Sequence, residues 1–158
     1  MRAPQHAGSL PRVCGNHTTP SIQRLLLLVD TNTAPAFHGL TNDNIRLQIF
    51  GYSDPEQLIF DKQILPLGPQ RYLRRNWHFF DVPIPFTRGV INRIVLSTDG
   101  DDFWLPKHFF LFGLDTATGN PTEAVPLVDI APGKWNQGGL STNMAEGKPS
   151  LHVGVAAT

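Results

Sequence analysis

A single cysteine, Cys14, stands in 158 residues, so no disulfide forms within the chain and no cysteine-based metal cluster can be built from it. Long apolar runs are missing too. The longest, Leu25 to Val29, falls far short of the roughly 18 to 20 residues that a membrane-spanning helix needs. Neither sign of charge dominates: 13 Lys and Arg balance 13 Asp and Glu, which excludes the broad positive field of non-specific nucleic-acid binding. A charged partner must therefore be recognised locally. Catalytic signatures are also wanting, with no Gly-x-Ser-x-Gly elbow and no His-Glu-x-x-His pair. The six histidines are scattered singly, a pattern more typical of surface or capped residues than of bases. The chain is expected not to be an enzyme.

What the sequence does hold is turn chemistry and short alternating runs. Fourteen Pro and 14 Gly, with no stretch of helical periodicity, point to an all-β chain. The β-like runs are Ile22 to Asp30, Asn44 to Gly51, Gln57 to Asp61, Trp77 to Ile84, Val90 to Thr98, His108 to Leu114, Ala124 to Ile130 and Leu151 to Val155. Turn signals such as Ser53-Asp54-Pro55 and Asp99-Gly100 separate them at intervals too short for crossover helices. The expectation is a two-sheet antiparallel β-sandwich of about eight strands. Irregular spacing in Ile91, Ile94 and Leu96 predicts a bulge near Asn92-Arg93. Phe109-Phe110-Leu111-Phe112, apolar at both parities, reads as a central strand, and Pro83 and Pro85 are expected to end theirs. Residues 1–21 lack apolar periodicity and read as a tail, leaving 22–158 as a single sandwich domain. The opening Met1-Arg2-Ala3-Pro4-Gln5-His6 leads into no apolar core and does not resemble a signal peptide. The compartment is not legible.

Oxygen donors gather between strands. Asp30-Thr31-Asn32-Thr33 follows the leucine run, His38-Gly39-Leu40-Thr41-Asn42-Asp43-Asn44 leads into Ile45-Arg46-Leu47-Gln48-Ile49, and Asp99-Gly100-Asp101-Asp102 follows another strand. Loops at one end of a sandwich can meet though distant in sequence. Calcium takes about six to eight oxygen ligands, and Asn32, Thr41, Asn42, Asp43, Asp99, Asp101 and Asp102 are its candidate ligands here. The alternative for the aspartate run is a solvated turn, which Asp and Gly favour on conformational grounds.

The order of these pieces resembles the PLAT (LH2) domain, the eight-stranded β-sandwich of lipoxygenases, some lipases and bacterial phospholipase toxins. That family often opens with a strand, a Thr-rich turn and an Ala-Gly-Thr-Asp-Asp type of loop before an alternating strand, as Thr31-Asn32-Thr33 and His38 to Ile49 do here. Arg75-Asn76-Trp77-His78-Phe79-Phe80-Asp81-Val82-Pro83-Ile84 looks like a second piece, and Ile91 to Leu105 like a third, a strand running through a polar loop to a tryptophan. The match spans Ile22 to roughly Trp135. It departs from the family at Leu40, which stands between Gly39 and Thr41, and at Asn42, where Asp is usual. The resemblance implies a non-catalytic module that docks to a membrane, a lipid or a protein partner, with calcium ordering its loops. It also places Trp104 in the core.

Aromatic and basic residues supply the candidate contacts. Phe37 and Phe103 are candidates for exposed loop tips, because aromatic rings favour the membrane interface. Arg71, Arg74 and Arg75 form a basic cluster able to meet a phosphate headgroup or an acidic partner. Trp135, set among Gly133, Gly138 and Gly139, could clamp a sheet edge or contact a partner, and Trp77 is expected to pack in the core or on a sheet face. Two further readings stay open: a small hydrolase, or hydrolase-associated domain, acting on lipid esters, and a carbohydrate-binding sandwich using Trp77 or Trp135.

Overall fold

Runs of alternating apolar residues become strands wherever one parity can be buried, and the computed structural model has eight among its described residues. They are β1 (Ile22–Thr31), β2 (Ile45–Gly51), β3 (Gln57–Leu65), β4 (Asn76–Phe86), β5 (Ile91–Thr98), β6 (Pro106–Asp115), β7 (Glu123–Ile130) and β8 (Ser150–Val153), with a 3-10 turn at Arg88–Val90. The structure describes residues 19–31, 43–65, 76–116, 123–131, 134 and 138–156. The expected tail therefore lies almost wholly outside the described residues. No helix among the described residues is long and apolar enough to cross a membrane.

The strands form two four-stranded antiparallel sheets. Sheet A has the order β4-β1-β6-β7 and sheet B the order β3-β2-β5-β8. The core lies between them. From sheet A it takes Leu25, Leu27, Phe109 and Leu111, and from sheet B Ile45, Leu47, Ile49, Ile94 and Leu96, all fully buried. Trp104 plugs one end at 1% exposure, in agreement with the expected core position.

Several sequence expectations meet the structure at the strand ends. Phe50 pairs with Arg93 and Gly51 with Ile91, so Asn92 is the extra residue of a bulge at the expected place. β6 is central in its sheet, as its double apolarity predicted. Pro83 and Pro85 do not end β4, which continues to Phe86. Its register with β1 instead jumps from Asp81 opposite Arg24 to Phe86 opposite Ile22. β4 is an edge strand, where a missing N–H costs little, and a bulge absorbs both prolines. Trp77 is on a sheet face but 62% exposed, far from the core.

Candidate functional site

The two outer faces of the sandwich differ in chemistry. On sheet B the outward positions are mostly polar, with Phe50 and Val95 among them: Arg46 donates to Asp61 at 2.9 Å, and Arg93 makes a forked contact with Glu56, its nearest approach 2.7 Å. Hydrogen bonds from Arg93 and Asn92 hold the Glu56 carboxyl below its ordinary range. Arg93 also lies over the Phe50 ring at 4.0 Å. Such pairing is usual for the solvent side of an antiparallel sheet.

The outward face of sheet A is apolar across the middle of β4, β1 and β6, with exposed Asp129 of β7 opposite Phe110. Its register sets Trp77, Leu28 and Phe110 in one row across β4, β1 and β6, and Phe79, Leu26 and Phe112 in the next. These positions follow from parity, because Leu25, Leu27 and Val29 turn inward and are buried. Trp77 and Phe79 meet edge to face at 5.6 Å, and Phe110 and Phe112 lie nearly parallel at 6.5 Å. Trp77 is 62% and Phe79 45% exposed. An Arg24–Asp81 ion pair of 2.7 Å borders one end of the patch, with Arg24 set against the Phe79 ring at 5.3 Å. Asp30 and His108 border the other.

A second apolar region lies where the free edges of the two sheets approach. Tyr52, Leu58, Ile84 and Val90, all exposed, line a groove of about 590 Å³ together with Pro83 and Pro85.

At the end of the sandwich that holds Trp104, two of the three oxygen-rich segments come together. The Asp43 carboxylate accepts the backbone N–H of Asp102 at 2.7 Å. It presses so closely on Gly100 that a Cβ there would fall on the carboxylate. Asp99 accepts the backbone N–H of Asn44 at 3.1 Å and its side-chain amide at 2.7 Å. Burial, followed by the nearby charges of Asp102, Asp101 and Asp99, outweighs the Asp102 amide and raises the Asp43 pKa. The Asn44 side-chain amide, by contrast, holds Asp99 below its ordinary range.

The same loop is strapped by a segment that sequence reasoning missed. Trp104 and Leu140 exchange backbone hydrogen bonds of 2.9 Å, and the Thr142 N–H reaches the Gly100 carbonyl at 2.9 Å. Ser141, fully buried, donates to the Asp101 carbonyl at 2.8 Å and accepts the Asn143 N–H at 3.0 Å. Phe103 is half-buried, its ring so close to Gly139 that a Cβ there would collide with it.

Of the seven candidate metal ligands, Asp43, Asp99, Asp101 and Asp102 are thus gathered at one end, while Asn32, Thr41 and Asn42 lie outside the described residues. Among the described residues no group of three or more His, Cys, Asp or Glu side chains has the geometry to hold a metal. Asp43 and Asp99 instead accept hydrogen bonds that join the loops. The candidate contacts Phe37, Arg71, Arg74, Arg75 and Trp135 also lie outside the described residues. No signal in the local pattern marked Ser141. The outward patch had one: Leu25 to Val29 and Phe109 to Phe112 are apolar at both parities, and a strand in a two-layer sandwich can turn only one parity to the core. Compared with known proteins, the chain matches no family model and no curated sequence.

Proposed function

We propose that the chain is a non-catalytic binding module of the PLAT type, and that it docks on a lipid surface through the outer face of sheet A. One observation carries this reading: one outer face is mostly polar and carries two ion pairs, while the other presents two rows of apolar side chains with Trp77 and Phe79 exposed. Contiguous exposed apolar surface is unusual on a monomer and marks a contact site. Tryptophan in particular favours the boundary between water and acyl chains. Calcium is an accessory in this reading. The charges of Asp102, Asp101 and Asp99 bear on Asp43, and a cation bound near these loops would relieve them.

Sedimentation with zwitterionic and anionic vesicles, with calcium and with a chelator, tests the proposal. The chain is expected to pellet with vesicles, and the Trp77→Ser/Phe79→Ser variant to stay in the supernatant. A chain that pellets under none of these conditions would sink the lipid reading, and a pull-down would then address a protein partner. Exposed Trp77 also favours a second reading, a platform for a sugar ring. Binding on a glycan array, lost in Trp77→Ser and accompanied by no vesicle binding, would put that reading first.

A further inference from the structure

Beyond the docking face, the border of sheet A holds a second feature with its own chemistry. Asp30, at the end of β1, is 9% exposed. Its carboxylate Oδ2 lies 3.8 Å from Nε2 of His108, beyond hydrogen-bonding distance. That nitrogen is itself buried, with no hydrogen-bond partner among the described residues. Buried polar atoms are nearly always partnered, so an unmet imidazole nitrogen marks a place for a polar group from outside. Both groups line a pocket of about 370 Å³, with Leu28, Val29 and Phe110 as its other walls among the described residues. At ~30 Å³ for each water-sized group, it accommodates roughly a dozen.

We infer that this pocket is a binding site for a small apolar molecule bearing a hydroxyl group. An atom about 2.8 Å from both Asp30 Oδ2 and His108 Nε2 fits between two groups 3.8 Å apart. A hydroxyl there donates its proton to the carboxylate and accepts the imidazole N–H through a lone pair. An ether oxygen can do only the second. Water satisfies both groups, but leaves Leu28 and Phe110 without the apolar contacts that an alkyl chain makes. Leu28 and Phe110 also belong to the docking face, so the titration is run without lipid, where its outcome does not depend on vesicle binding.

Titration of the whole chain with 1-hexanol, followed through the imidazole signals of His108 by NMR without lipid, tests the assignment. Its isomer methyl pentyl ether, which matches it in size and lacks the donor, is the control. Saturable shifts are expected with hexanol, and at least tenfold weaker binding with the ether. Asp30→Leu removes the buried carboxylate without opening a void and should erase the preference, so that alcohol and ether bind alike. His108→Phe, followed through the Phe110 ring signals, should weaken hexanol selectively. A thermal melt establishes that both variants are folded. The inference is overturned if the ether binds as tightly as the alcohol in the unsubstituted chain, if hexanol gives no saturable shift at His108, or if the folded Asp30→Leu variant keeps the preference.

Discussion

Asp43 is subject to opposing demands. Its carboxylate is the acceptor that joins the start of β2 to the loop after β5, yet burial and three neighbouring aspartates raise its pKa. The two effects separate in substitution. Asp43→Asn keeps an oxygen for the Asp102 amide and removes the charge, so its melting temperature at pH 7 should equal or exceed that of the parent chain. Asp43→Ala loses the acceptor and should cost about 1 kcal/mol, the usual net worth of such a bond. The sign of the pH dependence follows from linkage. A carboxyl whose folded pKa is raised binds its proton more tightly in the folded state, so its charge disfavours folding above that pKa. The Asn advantage should be complete at neutral pH and shrink as pH falls through the raised value towards 3.8, the ordinary value. Melts at several pH values check this, and a gap that widens on acidification would contradict it. Asp99 has the opposite sign: lowered by Asn44, it favours folding above 3.8 and loses that contribution as pH falls through its folded value. The meeting of these aspartates was legible, because turn-forming Asp and Gly sat at the ends of two strands. Which oxygen accepts which amide depends on the loop path and was not.

At the scale of elements, the strand cores were readable and the edges were not. Alternation places β2, and the disturbed alternation of β5 even locates its extra residue at Asn92. β3 runs four residues beyond its expected end, through Lys62 and Gln63 to Leu65, and β4 runs past two prolines. Both are edge strands, and edge position is a property of the sheet that no local pattern encodes. The strap from Gly138 to Pro149 is illegible for a related reason. It bonds to the β5–β6 loop through the backbone and Ser141, contacts that any small polar sequence could make. Ser141 is nevertheless a specific residue, satisfying the Asp101 carbonyl and the Asn143 amide while fully buried. Ser141→Ala leaves both without that partner and should destabilise the chain by about 1–3 kcal/mol. Because Thr142 and Leu140 hold the same loop, faster amide exchange should be confined to Asp99 through Trp104 and the strap. A variant with unchanged stability and exchange would show that the strap is held by its backbone bonds alone.

For the whole molecule, what distinguishes the two sheets is what each turns outward. In the leucine run of β1, Leu25, Leu27 and Val29 are buried. Its other parity, with Trp77 and Phe79 alongside, follows the same composition but faces away from the core. Burial and exposure of similar side chains on one sheet make a stability test of the sandwich that does not depend on any ligand. Leu27 is fully buried, so Leu27→Ala should cost about 2–5 kcal/mol, from lost transfer energy and the cavity left behind. Trp77 and Phe79 keep much of their surface in water when folded and so have less to lose. Trp77→Ser/Phe79→Ser should change the unfolding free energy by about 1 kcal/mol or less, the remainder reflecting the contact between the two rings and that of Arg24 with Phe79. Urea titrations of the three chains measure both effects directly. If the double variant lost as much stability as Leu27→Ala, the two aromatic residues would belong to the packing of the fold. If it melts close to the parent chain, the fold does not need them, and their presence on the apolar face calls for a contact outside the sandwich.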